Sequence, residues 1–464
     1  VTGVAEGGTR NGNVSFWWTQ LGLPAARAPL PGSIGADVCI VGAGFTGLWT
    51  AYYLKRAAPH LDVVVLESEF AGFGASGRNG GWLTNTITGG RDRYLASRSR
   101  GEIAEMQRVL NDAVDEVIRV TRAEGIDAGI VKGGELTVAT SPAQLGRLRA
   151  FAKAEAAWPA TDLEVLSAEA ATERVAVRGA VGAVWHPHCA RVNPAQLVSG
   201  LARAVEALGV RIHEQTPVRE IRPHAAVTDR GTVTADVVVR ATEGFTANLK
   251  GQHRTWLPMN SSLIVTEPLG DDVRDEIGWR GRELLGDFAH VYMYAQRTAD
   301  DRIAIGGRGV PYRFGSRTDS DGVTQEATIR KLRAILTDFF PSAADTAIEH
   351  AWSGVLGVPR DWAATMGLDP ATGIAWAGGY VGTGVTTTNV AGRTLADLIL
   401  GHDSALTRLP WVGHVARKWE PEPLRWLAVQ GIYAAYGAAD RIERAGRPRT
   451  AAIARIADVV AGRH

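Results

Sequence analysis

The residues best placed to do chemistry lie in the stretch DVCIVGAGFTGLWTAYYLKRAAPHLDVVVLESEFAGFGASGRNGGW, from Asp37 to Trp82. Gly42, Gly44 and Gly47 form a G-x-G-x-x-G, and Glu67 stands 20 residues after the last of them. Glycines at this spacing let the chain turn tightly, let backbone approach a pyrophosphate, and let a helix pack closely on a strand. Helix N–H groups then face the phosphates, helped by the helix dipole. A carboxylate about 20 residues on accepts hydrogen bonds from a ribose. It would repel a 2′-phosphate, so the pattern predicts a dinucleotide that lacks one.

These groups need a strand, a helix and a second strand to place them. Residues 38–41 are a short apolar run, as in a buried parallel strand. A helix is expected over about 46–57, broken at Pro59, with a second buried strand over 63–66. Farther on, Leu197, Leu201, Val205 and Leu208 repeat at helical spacing. TADVVVRATEGFTANL then reads as another strand and turn. GIAWAGGYVGTGVTTTNVAGRTLADLIL reads as a strand, a glycine loop and a helix.

Nicotinamide enzymes normally continue into further strand–helix units after the acid. This chain instead gives AGFGASGRNGGW. Here it resembles the flavin-dependent amine and amino-acid oxidoreductases, the group containing D-amino-acid oxidase, sarcosine oxidase and glycine oxidase. The GASGRNGG form is most similar to gamma-glutamylputrescine oxidase-like proteins. The resemblance implies FAD, with Phe45, Thr46 and Ser68 flanking the glycine turn and the acid. It implies that Gly74, Ala75, Ser76, Arg78, Asn79, Gly80, Gly81, Trp82 and Leu83 pass over the pyrophosphate and ribityl chain toward the flavin ring. Small residues there would allow backbone contact, Ser76 would donate to phosphate and Arg78 would neutralise charge. Backbone of Val218 would touch adenine, with Ala241 and Thr242 beside the dinucleotide. Gly379, Gly382, Thr383, Gly384 and Val385 would sit at the flavin pyrimidine, where N–H groups stabilise negative charge on reduction. The family often has histidine where Thr383 stands, so only the backbone role carries over. Some relatives attach FAD through a cysteine near the position of Trp352. None occurs there in this chain, so the FAD is expected to be noncovalent.

The implied fold class is α/β, mixed α+β: a Rossmann-like FAD-binding domain with a discontinuous antiparallel-sheet substrate domain and a helical C-terminal tail. The expected boundaries are 30–95, 185–250 and 365–405 for FAD, 96–184 and 251–364 for substrate, and 406–464 for the tail. Tyr292 and Tyr294 alternate in HVYMYAQRT, so on a strand both point to one face. Tyr292, Tyr294, Arg308 and Trp352 are the candidate substrate pocket: two rings, a carboxylate partner and an aromatic wall. The implied reaction passes hydride from the α-carbon of a neutral amine to flavin N5, and the imine then hydrolyses. The protein supplies orientation and electrostatics, and no catalytic base is nominated. A small amine or amino acid is the expected partner. Dioxygen is a candidate acceptor. No lysine occurs in DDRIAIGGRG, the region where a relative places one for oxygen reduction, so oxidase and dehydrogenase both stay open.

The net charge of +1 argues against nucleic acid. No run of about 18 apolar residues would span a membrane. The N-terminal stretch has no signal-peptide pattern, and the two cysteines suit a reducing cytoplasm. His186, His188 and Cys189 could ligate a metal, but no second ligand group is evident and none is expected. In the tail, Trp426, Leu427, Val429, Ile432 and Tyr433 form an apolar helical patch, read first as packing on the body. A flavin monooxygenase is the rival enzyme class, prompted by GDFAH at residues 286–290. The residues after that motif read as strand, turn and strand, where the class needs a helix. A non-catalytic FAD-binding protein is the remaining alternative.

Overall fold

The computed structural model describes residues 3–4, 8–307, 312–318 and 321–461. Its first sheet has a parallel centre, in the order Arg211–His213, Val63–Leu66, Ile34–Val41, Gly231–Arg240 and Ile374–Gly378. Valine and isoleucine dominate the inner strands, as expected where both faces are covered. Val63–Leu66 is buried throughout. Helix Phe45–Ala57 follows the first glycine turn and lies against helix Gly384–Leu400. The two touch closely at Gly392, where a Cβ would sit 2.6 Å from Trp49 Cβ. That approach brings the first turns of both helices to the same edge of the sheet.

The second sheet is mostly antiparallel and draws its strands from distant segments. Leu257–Thr266, buried along its whole length, pairs with Ile348–Val358 on one side and Ile303–Gly307 on the other. Tyr294–Arg297 and Leu284–Asp287 follow, then Glu135–Ala139, Gly182–His186 and Glu164–Leu166. A two-stranded ribbon, Trp82–Thr84 against Cys189–Arg191, lies between the large sheets in sequence and carries the end of the glycine-rich loop.

In the helix Arg100–Ala123, Ile103, Met106, Leu110, Val114 and Val117 join the core that also holds Phe45, Leu48 and Leu54. The tail is helical at Leu424–Arg444 and Ala452–Ala461. It packs on the body, with Trp419 and Val429 against Leu257, Met259 and Val358. Leu427 departs from the expected patch and is 55 % exposed. No helix among the described residues is long and apolar enough to cross a membrane.

Candidate functional site

Two clefts meet at the carboxyl edge of the parallel sheet, where open α/β sheets bind ligands. The first runs past Gly42, Gly44, Phe45 and Thr46, and past Glu67, Ser68, Val218, Ala241 and Thr242. It is an elongated cleft that runs from Val218 and Arg219 at one end to Gly382 and Val385 at the other. Two helices open into it, Phe45–Ala57 after Gly44 and Gly384–Leu400 after Thr383, and in neither does the residue before the helix cap it with its own side chain. Such helix starts leave N–H groups and a positive dipole end for a negative ligand.

Glu67 closes the first glycine turn. Its carboxylate accepts from Ala43 N–H at 2.8 Å and from Glu69 N–H at 3.0 Å. Burial pushes its pKa up, against those backbone donors. Ser76 Oγ accepts from Phe45 N–H at 2.8 Å, on the first helical residue, and keeps its own proton to donate.

The second cleft adjoins the first and shares five wall residues with it: Ala75, Asn79, Leu356, Gly382 and Val385. Its other walls include Trp82, Thr84, Glu135, Thr137, Tyr292, Met293 and Tyr294. Tyr294 Oη lies 2.8 Å from Ser261 Oγ, and its ring meets Trp82 edge-on at 6.0 Å. The Glu135 carboxylate accepts from Thr84 and Thr137 hydroxyls at 3.3 and 3.4 Å.

A family profile described as FAD dependent oxidoreductase matches residues 37–398, across both clefts. The chain belongs to the FAD-dependent oxidoreductase family. Gamma-glutamylputrescine oxidoreductase of Escherichia coli (strain K12) is 33 % identical over 80 % of this chain and 84 % of its own. Glycine oxidase of Bacillus licheniformis is 23 % identical over 79 % of this chain and 93 % of its own. The solved glycine oxidase of Geobacillus kaustophilus has the same fold, with a TM-score of 0.68 at 20 % identity, over 82 % of this chain and all of that one. The chain is thus an FAD enzyme of the amine and amino-acid oxidoreductase group.

In this flavoenzyme the glycine-rich loop is pinned rather than loose. Three indole N–H groups hold its carbonyls: Trp18 to Gly72 at 3.4 Å, Trp352 to Arg78 at 2.8 Å and Trp17 to Asn79 at 2.9 Å. Its small residues divide into two kinds. Gly74 and Ala75 face the first cleft. Gly77 is small for protein packing, since a Cβ there would lie 2.2 Å from Trp18 Nε1. Gly80 and Gly81 are too, with Tyr294 and Gln296 in their way at 2.7 and 2.1 Å.

Several expected residues therefore play other parts. Arg78 is 3 % exposed and spends its guanidinium on carbonyls of Phe73, Ser353 and Asn13, so it is a strut of the loop more than a phosphate partner. Leu83 is core. Gly47 lies under the helix, where a Cβ would meet Gly42 O at 2.0 Å, which is the close-packing role of a third glycine. Gly379 points its N–H at Glu243. Thr383 lines the second cleft but bonds Thr88 and Tyr380.

Trp352 lines neither cleft. Helix Phe16–Leu21 covers that end of its strand, and Trp352 packs on Phe16 and Trp17. Tyr292 precedes its strand, which begins at Tyr294, although both rings reach the second cleft. Arg308 lies outside the described residues. Residues 288–293 lead from strand to strand with no helix, which removes the structural basis of the monooxygenase reading.

The histidine–cysteine motif splits. His188 turns to Asp162 at 2.6 Å, whereas His186 and Cys189 gather at Glu135, all three within 4.8 Å. His186 Nδ1 has no partner. Metal-bound histidines normally hold that second nitrogen in a hydrogen bond, which argues for a polar cluster over a metal.

The largest residue missed from sequence is Glu243. It sits at a positive φ of 42° after strand Gly231–Arg240 and lines the first cleft. Its carboxylate accepts from Gly357 N–H at 3.1 Å, from Gly379 N–H at 2.9 Å and from Tyr380 N–H. Among the described residues no cation pairs with it, and burial raises its pKa to about 7. One signal was present: it is an acid three residues beyond the end of a valine-rich strand of the parallel sheet, as Glu67 is one residue beyond the end of another.

Proposed function

We propose that the chain oxidises a C–N bond of a small amine or amino acid bound in the second cleft. Bound FAD would supply the two-electron acceptor, so that the amine would lose a hydride from its α-carbon and a proton to water, and the resulting imine would hydrolyse. The carrying observation is the common wall of the two clefts, which would set a substrate in one against the flavin ring in the other.

The remaining roles belong to the chain. The start of Phe45–Ala57, Ser76 and the backbone at 74–75 would hold the pyrophosphate, with Glu67 at the ribose and Val218 at the adenine. The start of Gly384–Leu400 would face the flavin pyrimidine, and the pinned loop would keep water from the ring. Both cysteines are free and buried, which supports noncovalent FAD and a reducing cytoplasmic setting. The two sheets support separate FAD and substrate units, with Arg100–Ala123 placed on the FAD side.

Within this class, an amine is favoured over an amino acid. Glu135 presents a carboxylate to the second cleft among hydroxyls and rings, a setting for an ammonium group or its neutral partner. The name of the Escherichia coli relative points the same way.

The test is anaerobic addition of amines and amino acids to the purified yellow protein. Bleaching by one class is expected, with alkylamines ahead of α-amino acids. Readmitted air then shows whether dioxygen is the acceptor. Bleaching only by a reduced nicotinamide would overturn the reading in favour of a monooxygenase, and protein unable to take up FAD would overturn the site.

A further inference from the structure

The wall of the second cleft opposite the glycine loop is a short connection, residues 288–293, between strands Leu284–Asp287 and Tyr294–Arg297. It contributes Tyr292 and Met293 to the cleft. Buried or half-buried backbone donors need partners, and those of this connection are unevenly supplied. Phe288 N–H reaches Val138 O, and Met293 N–H reaches Asp287 Oδ1 at 3.0 Å. The two donors in the middle go to the tail: His290 N–H to Asp440 Oδ1 at 2.9 Å and Val291 N–H to Asp440 Oδ2 at 3.0 Å.

One turn farther along helix Leu424–Arg444, on the same face, Glu443 is 3 % exposed. Its carboxylate meets His290 Nε2 at 2.8 Å, Arg147 Nη1 at 2.7 Å and Ala451 N–H at 2.9 Å. Arg147 in turn donates to Phe288 O at 2.7 Å. The His290 ring stacks on Tyr436 at 5.9 Å with 5° between planes. The connection is thus gripped between helix Pro142–Glu155 and the tail. His290, Asp440 and Glu443 lie within 4.8 Å of one another. Their carboxylate oxygens are already occupied by protein donors, so the cluster reads as a dock and not as a metal site.

We propose that the C-terminal extension, which lies beyond the family-matched residues, is a positioning element of the substrate pocket. It acts through Asp440 and Glu443, which set the connection carrying Tyr292 and Met293. The proposal rests on the second cleft being the substrate site.

The experiment uses the full-length FAD-loaded protein with Asp440→Ala and Asp440→Asn. Asparagine keeps the shape but cannot accept from both N–H groups with its amide nitrogen. Two measurements are made: the concentration of bleaching amine at half effect, set against the limiting rate and FAD affinity, and hydrogen exchange of the peptide spanning 286–294. The expected result is about 3–30-fold weaker amine binding, unchanged FAD affinity, and exchange at His290 and Val291 about tenfold faster. Unchanged exchange and amine binding in Asp440→Ala would overturn the proposal. So would a fall in FAD affinity and melting temperature with no separate effect on amine. If no amine bleaches the parent protein, the proposed reaction fails, and hydrogen exchange still decides whether the tail sets the wall.

Discussion

Glu67 and Glu243 occupy corresponding places in the fold. Each follows a valine-rich strand of the same parallel sheet within three residues, lines the same cleft, and has its pKa raised by burial. They differ in reach. Glu67 closes contacts 24 and 2 residues away. Glu243 ties together backbone 114 and 136 residues away, at the end of the cleft that meets the substrate side. A carboxylate that completes its own strand–turn–helix unit has a spacing to give it away. One that fastens three distant segments is found only once the topology is known.

Replacing both acids by alanine would sharpen this contrast most. Glu243→Ala strands donors in three places, and each buried unsatisfied group costs about 1–3 kcal/mol. A loss of about 3 kcal/mol or more in unfolding free energy is expected, against about 2 kcal/mol for Glu67→Ala, by denaturant titration. Equal losses would break the comparison.

The pH dependence is the next largest effect. The folded pKa of Glu243, about 7, lies above its ordinary 4.5. Between those values the native state keeps a proton that the unfolded chain has released. Its contribution is therefore fullest below pH 4.5 and is lost as pH rises through 7, by at most about 3 kcal/mol. Subtracting the stability profile of Glu243→Gln from that of the parent over about pH 5–8 should reveal a decline. A flat difference would mean that Glu243 is ionised throughout, as Glu67 would be if its backbone donors prevailed.

Ser76→Ala probes the Glu67 end more gently. Phe45 N–H loses its acceptor, at a cost of about 1 kcal/mol. FAD affinity should fall a few-fold, read by the flavin retained after gel filtration. An unchanged affinity would assign the serine to helix capping alone.

Legibility divided along the same line. The glycine turn, both first strands, Glu67, the FAD segments and the mixed fold could be read because each signal is local and periodic. The glycines of the loop were visible too, but their reasons were not. Gly77, Gly80 and Gly81 are small because Trp18, Tyr294 and Gln296 press on them from remote segments. Trp352 was expected as an aromatic wall of the substrate pocket; the helix Phe16–Leu21 that covers it carries no motif. Arg78 was read as a charge for phosphate; its buried guanidinium also donates to the Phe73 carbonyl, a contact between loop residues that no motif announces.

The five residues common to both clefts have an evolutionary consequence. On the proposed assignment of the clefts, a change at Ala75, Asn79, Leu356, Gly382 or Val385 would be felt by cofactor and substrate together, so drift there would be penalised twice. Glu135, Thr137, Tyr292 and Met293 face only the substrate side. Relatives that diverge in substrate while keeping FAD should therefore vary on that far wall and hold the shared one. A library seeking new specificity would best be confined to the same four positions.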